Sequence, residues 1–254
     1  MRQKSILLAG NWKMNHGPKE TAQFLNQLHT QSKQNAQMRL YVPFVSIASA
    51  LETTHAKSLA LEIGAQNVHF EKSGAFTGEI SVGMLLELGV KQALIGHSER
   101  RQYFNETNET VLKRTVSALT QGLEVLVCIG ETQGERNAGM TKQTVQTQLA
   151  PLLSDETCLK AFGKTLHIAY EPVWAIGTGV TASPEQAEEV HASIRSLLAQ
   201  KLGPTATNAT RVLYGGSVTP TNFKELLACP NIDGALVGGA SVKVDSWTAL
   251  WNLI

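Results

Sequence analysis

The chain has 254 residues, 43% of them hydrophobic, with Lys+Arg 22 against Asp+Glu 21 and a formal charge of +1. That is enough apolar material for one sizeable core. So even a balance of charge excludes the strongly basic field that nucleic acid or an anionic membrane would select.

Residues 5–10, Ser-Ile-Leu-Leu-Ala-Gly, read as a buried strand that runs into Asn11-Trp12-Lys13. A helix is expected over 18–35, with Phe24, Leu25 and Leu28 on one face, then a strand over 39–43 and a weaker helix through Ile47, Ala50 and Leu51. A third strand over 59–65 leads into a long polar loop, 66–79, and a short helix over 81–88 stopped by Gly89. The fourth strand, 92–96, delivers His97-Ser98-Glu99, and Asn105 is the expected cap of a helix striped by Val111, Leu112, Val116 and Leu119. A fifth strand over 124–129 precedes a long helix over 132–153, whose glycine-containing start is the weakest part. The sixth strand, 166–170, ends in Glu171-Pro172. A loop with Trp174, Ile176 and two glycines then closes on Ser183-Pro184-Glu185-Gln186, a strong helix start for 185–202. A strand over 212–214, a helix opening at Thr219-Pro220, a strand over 235–237 and a helix over 242–253 complete the chain.

Short, nearly continuous apolar strands alternating with helices point to an α/β fold whose parallel sheet is covered on both faces. Eight such units in this length favour a closed (β/α)8 barrel of eight parallel strands, one domain over residues 1–254. The apolar run after the basic first residues, Ile6 to Ala9, is too short for a signal peptide. No stretch reaches the roughly 20 apolar residues of a membrane span. Cys128, Cys158 and Cys229 form no C-x-x-C pair, so neither a zinc site nor a disulfide framework is expected, and free thiols suit a reducing cytosol, so a cytoplasmic location is expected.

In such a barrel the chemistry sits at the C-terminal strand ends, and those ends carry ionisable groups. Asn11 and Lys13 are two apart and face one way if the chain stays extended. They offer an amide donor and a fixed cation to a developing oxyanion. His97 stands at a helix N-terminus, which disfavours its cationic form. Glu171 supplies a carboxylate beside a flap that can exclude water. Each residue alone is most simply a surface or core group; together they form a proton-transfer set. Tyr214-Gly215-Gly216-Ser217 and Gly238-Gly239-Ala240-Ser241 follow consecutive late strands and read as phosphate turns. No cluster has metal-ligand spacing.

The strings Gly10-Asn11-Trp12-Lys13-Met14-Asn15, Gly96-His97-Ser98-Glu99-Arg100-Arg101, the 169–179 stretch, Tyr214-Gly215-Gly216-Ser217-Val218 and Leu236-Val237-Gly238-Gly239-Ala240-Ser241 together resemble the triosephosphate isomerase family along essentially the whole chain. The resemblance implies interconversion of dihydroxyacetone phosphate and D-glyceraldehyde 3-phosphate through an enediol or enediolate, in glycolysis and gluconeogenesis, with no cofactor or metal. It implies Glu171 as the base, His97 as the carbonyl-polarising proton shuttle, Lys13 and Asn11 as stabilisers of negative charge, and Glu99 as the partner of Lys13. Backbone groups of Gly177, Ser217, Gly238 and Gly239 are implied to hold phosphate, while Ile176 and Leu236 clamp Glu171 when a lid over 172–182 closes. The 66–79 loop resembles a dimer loop, with Thr77 reaching a neighbouring subunit near Asn11 and Lys13; a homodimer follows, with triose phosphates as the only other partners, no nucleic acid and no membrane. Two departures from the family are Val180, at the lid hinge in place of the usual Lys, and Met14, where many members have Cys. The alternatives are a non-catalytic phosphate-binding barrel or another sugar-phosphate barrel enzyme.

Overall fold

The computed structural model describes residues 4–177 and 181–254. Its strands are β1 (Ile6–Asn11), β2 (Ala36–Val42), β3 (Glu62–Ala65), β4 (Gln92–Ile95), β5 (Glu124–Ile129), β6 (Leu166–Tyr170), β7 (Val212–Tyr214) and β8 (Gly234–Val237). They close into a parallel barrel in chain order, with β8 returning to pair with β1. The helices that cover it begin with α1 (Pro18–Gln27), α2 (Ile47–Ala56), α3 (Val82–Glu87), α4 (Ser98–Tyr103) and α5 (Asn108–Thr120). The second half carries α6 (Gln133–Asn137), α7 (Thr141–Leu149), α8 (Glu156–Ala161), α9 (Pro184–Ala209), α10 (Phe223–Ala228) and α11 (Val244–Asn252). The expected (β/α)8 barrel is the fold.

Because strand side chains alternate between faces, the apolar strands supply two cores. Leu7, Ala9, Tyr41, Leu94, Leu126, Cys128, Ala169, Leu213 and Leu236 pack together inside the barrel. Their neighbours, among them Leu8, Leu40, Ile63, Val125, Val127 and Ile168, belong to the larger cluster under the helices. At the N-terminal end the wholly buried Arg39 holds Glu62 at 2.6 Å and Glu124 at 2.8 Å. A guanidinium in that position needs both partners to offset its desolvation. Burial and the nearby cations Arg211 and Arg39 push His167 down to about 3, which keeps it neutral.

The helices depart from the sequence reading where local hydrogen bonds win over periodicity. Helix α1 stops at Gln27 rather than running to residue 35, because Leu28 turns extended and buries itself, and Lys57 Nζ caps the carbonyls of Leu25, Asn26 and Leu28. The cap of α5 is Thr107, which exchanges bonds with Thr110 in a capping box, while Asn105 takes a left-handed turn with φ 55° just before it. The single helix read over 132–153 is two helices, α6 and α7, separated at Gly139, whose φ is 70°, and followed by a 3-10 turn. Helix α10 starts at Phe223, not at Thr219-Pro220; residues 220–222 form a turn that leads into it, with the Thr219 carbonyl accepting the Phe223 N–H at 3.1 Å. The helix start at Ser183 is formed as read, Ser183 and Gln186 making a capping box. Among the described residues, no helix is long and apolar enough to cross a membrane.

Candidate active site

Each candidate residue sits where a strand runs out. After β1 the chain turns at Lys13, which takes φ 53°, a left-handed conformation that costs roughly 1–2 kcal/mol. The expected extended geometry therefore does not hold there. The turn is secured instead by Lys13 N–H donating to Asn11 Oδ1 at 3.0 Å and by Gln66 Nε2 donating to the Lys13 carbonyl at 2.9 Å. It carries the Lys13 ammonium to 2.6 Å from Glu99 Oε1.

His97 follows β4 and caps α4 with its own ring, Nδ1 accepting the Glu99 N–H at 3.2 Å. A ring nitrogen that accepts carries no proton, so the proton of the neutral imidazole is on Nε2. That nitrogen lies 2.8 Å from Glu171 Oε1. The other carboxylate oxygen accepts the Ser98 N–H at 2.8 Å. Glu171 is only 2% exposed. Burial alone would raise its pKa, but the His97 ring, the Ser98 N–H and the Lys13 charge outweigh it and hold the carboxyl below its ordinary value. Burial conversely works against an imidazolium at His97, yet the adjoining Glu171 and Glu99 carboxylates carry its pKa above the ordinary value. The sequence led to a ring with its charge suppressed; the carboxylate resting on it reverses that tendency. Gly215 is required beside this pair, because a Cβ there would stand 2.9 Å from Glu171 Cγ.

The glycine turns after β7 and β8 form the opposite wall. Gly238 carbonyl is taken from behind by the Ser241 N–H at 2.8 Å and its hydroxyl at 2.7 Å, and a 3-10 turn, Gly239–Val242, opens there. Trp12 Nε1 ties the β1 turn to the Ser241 carbonyl at 2.9 Å. Between these walls lies a cavity of about 270 Å³ that touches Asn11, Lys13, His97, Glu171, Ile176, Gly177, Ser217, Leu236, Gly238 and Gly239. It falls below the roughly 300–1,000 Å³ of pockets for drug-sized ligands, a size suited to a few carbons and a phosphate. A larger cavity, about 620 Å³, lies beside it and also reaches Glu171. The smaller one holds His97, Lys13 and both glycine turns, and the larger one holds none of these.

Residues 6–254 match the family model of triosephosphate isomerase. The chain is 49% identical over 245 residues to the triosephosphate isomerase of Carboxydothermus hydrogenoformans, covering 96% of each chain. It is 47% identical to that of Alkaliphilus metalliredigens and 46% identical to that of Solibacter usitatus, each over 97% of this chain and 98% of the relative. The chain belongs to the triosephosphate isomerase family. Its activity is the family's, the isomerisation of triose phosphates.

Two of the isomerase's sequence-derived positions stand outside the cavity. Glu99 touches it through Lys13, and Thr77 is exposed on the loop after β3. Val180, at the lid hinge, lies outside the described residues. Of the lid itself, Val173–Ala175 form a 3-10 turn and Trp174 Nε1 donates to Glu131 Oε1 at 2.9 Å, where Tyr170 hydroxyl also donates at 3.1 Å. Sequence reasoning assigned no role to Ser98, Gln66 or Glu131. Glu131 stands just beyond β5 and carried the same strand-end signal that singled out Glu171. Ser98 acts through its backbone and carried none. Among the described residues no group of three or more His, Cys, Asp or Glu is placed to hold a metal ion.

Proposed function

We propose that Glu171 is the base that moves a proton between adjacent carbons of a triose phosphate, with His97 and Lys13 serving the oxygens. The observation that carries this reading is one small cavity with carboxylate, imidazole and ammonium on one side and two glycine turns on the other. The carboxylate must leave His97 and the Ser98 N–H to reach a substrate carbon. Once it does, it loses the contacts that depress its pKa, while burial, which raises it, remains. Ile176 and Leu236 border the same cavity and would flank the moved carboxylate when the lid closes. His97, relieved of that carboxylate, keeps burial and the Lys13 charge, which lower its pKa, against Glu99 alone, which raises it, and the balance moves toward a neutral Nε2–H donor. Asn11, whose Oδ1 is engaged by the Lys13 N–H, offers its NH2 to the enediolate. Backbone N–H groups of Gly177, Ser217, Gly238 and Gly239 take the phosphate. No cofactor enters the scheme.

Coupled assay of glyceraldehyde 3-phosphate turnover tests the clamp. Leu236→Ala and Ile176→Ala should each lower kcat on the order of tenfold, the value of about one unit of carboxylate pKa. Wild-type kcat in both variants would remove the clamp from the mechanism.

We infer further that residues 1–254 act as one barrel domain and that two copies form a homodimer. Exposed apolar side chains lie on the segments that follow β1, β2 and β3: Met14 at 97%, Val45 at 73%, Phe76 at 43% and Met84 at 53% exposure. The 66–79 loop is also held in shape for docking. His69 stacks on Phe70, and Arg114 and Ser117 bind the carbonyls of Val68 and Phe70. Loops this long without regular structure usually serve a purpose, and Thr77, exposed on this one, would enter a neighbouring subunit. Sedimentation equilibrium should give about twice 27.5 kDa, and Thr77→Arg should shift it toward the monomer; a monomeric wild type at micromolar concentration overturns the dimer. A cytoplasmic location fits the free thiols of Cys128, Cys158 and Cys229, and fractionation with a soluble cytoplasmic marker checks it.

A further inference from the structure

Strand β5 pairs with β4 only as far as Ile95↔Val127. Beyond that point the β4 side of β5 has lost its neighbour, while on the β6 side the ladder continues. Glu171 N–H donates to the Ile129 carbonyl at 2.7 Å and Val173 N–H to the Glu131 carbonyl at 3.0 Å. The backbone groups facing the abandoned side need other partners. Arg101 reaches the Cys128 carbonyl at 3.3 Å. The next set belongs to Gly130, and both of its groups are taken by one side chain. Gln148, on α7, accepts the Gly130 N–H at 2.7 Å through Oε1 and donates to the Gly130 carbonyl at 3.0 Å through Nε2.

Gly130 is the seat of Glu171. A Cβ on Gly130 would lie 1.7 Å from the Glu171 carbonyl oxygen and 2.6 Å from its carbon, so the peptide of Glu171 rests directly on the Gly130 backbone. The cavity of about 620 Å³ is lined by Gly130, Gln148 and Glu171 alike. If Gln148 lost its bonds, water from that cavity would be the replacement partner for Gly130, and a mobile one.

We propose that Gln148 is a positioning residue for Glu171: its amide clamps Gly130 from the β4 side and so fixes the backbone on which the base is mounted. This rests on the reading of Glu171 as the base. Reacting groups lose about a hundredfold in rate when misplaced by about 1 Å, so a loosened seat acts on kcat. On the same reading, substrate binding depends on Lys13, Ser217 and the glycine turns, which line the smaller cavity, whereas Gln148 lines the larger one.

Gln148→Met keeps the length of the side chain and removes both hydrogen bonds. In the coupled assay it should lower kcat roughly tenfold to a hundredfold with KM for glyceraldehyde 3-phosphate changed by less than about twofold. In a Glu171→Asp background the same substitution should cost much less, since the two act as a unit. Should Gln148→Met fail to give a cooperative thermal transition, Gln148→Glu carries the same expectation; it keeps an acceptor for the Gly130 N–H and sets an oxygen against the Gly130 carbonyl. A lowered melting temperature with kcat intact would make Gln148 merely structural and overturn the proposal, as would costs that simply add. Glu171→Asp alone separates the two readings: undiminished activity there defeats the base assignment, whatever Gln148 does.

Discussion

Glu171→Asp should lower kcat by roughly 10² to 10⁴, the range over which a positioned general base contributes, while the barrel stays folded. The substitution keeps the charge and the chemistry of the base and only retracts it by one methylene. The seat explains why that retraction cannot be absorbed. Glu171 is fixed on both sides of its backbone, by its own N–H on the Ile129 carbonyl at 2.7 Å and by the Gly215 N–H on the Tyr170 carbonyl, also at 2.7 Å. Its peptide lies flush on Gly130, and its Cγ leaves no room for a Cβ at Gly215. The backbone therefore cannot follow the shortened side chain toward the substrate. Circular dichroism and the melting temperature should stay close to wild type, and binding of a phosphorylated acid such as phosphoglycolate should survive. A variant with wild-type kcat would mean that another group takes the proton.

Lys13→Met should lower kcat/KM by roughly 10² to 10³, equivalent to about 3–4 kcal/mol for a donor aimed at developing negative charge. Two effects add. On the proposed reading, the cation that serves the enediolate and the phosphate is lost, and Glu99, 2.6 Å from the ammonium, is left as an uncompensated negative charge against an anionic substrate. The second effect is separable. Lys13→Met combined with Glu99→Gln should recover part of the loss, and the recovery should shrink as salt screens the repulsion of the half-exposed Glu99. Equal kcat/KM for wild type and Lys13→Met would remove Lys13 from the site.

The barrel was legible because its strands are short apolar runs at even spacing, and strand order in a closed parallel barrel follows chain order. Helix ends were less so. Thr107 rather than Asn105 caps α5, and Lys57 ends α1 from a distant turn. Both outcomes depend on which side chain wins a backbone partner in three dimensions, which periodicity does not encode. At the site, residues that present a charge or a glycine pair at a strand end could be singled out one by one, and the cavity gathers Asn11, Lys13, His97, Glu171 and the late glycines. The left-handed turn at Lys13 was not legible, since Gln66 and Asn11 impose it from outside its own dihedral preference. Nor was the raised pKa of His97, which comes from the resting place of Glu171 rather than from the helix it caps. Gln148 was invisible for a plainer reason: it is one glutamine among several on a polar helix, and only the end of the β4–β5 ladder gives it a task.

Turnover in deuterated water tests the central assignment most directly. Dihydroxyacetone phosphate made by the wild-type enzyme from glyceraldehyde 3-phosphate should carry deuterium on the carbon that received the proton, because a proton held by a carboxylate exchanges with solvent. Glu171→Gln, which keeps the shape of the side chain and removes its basicity, should form neither product nor labelled substrate at a comparable rate. Labelled product from the glutamine variant at the wild-type rate would contradict the account and send the search for the base elsewhere in the cavity.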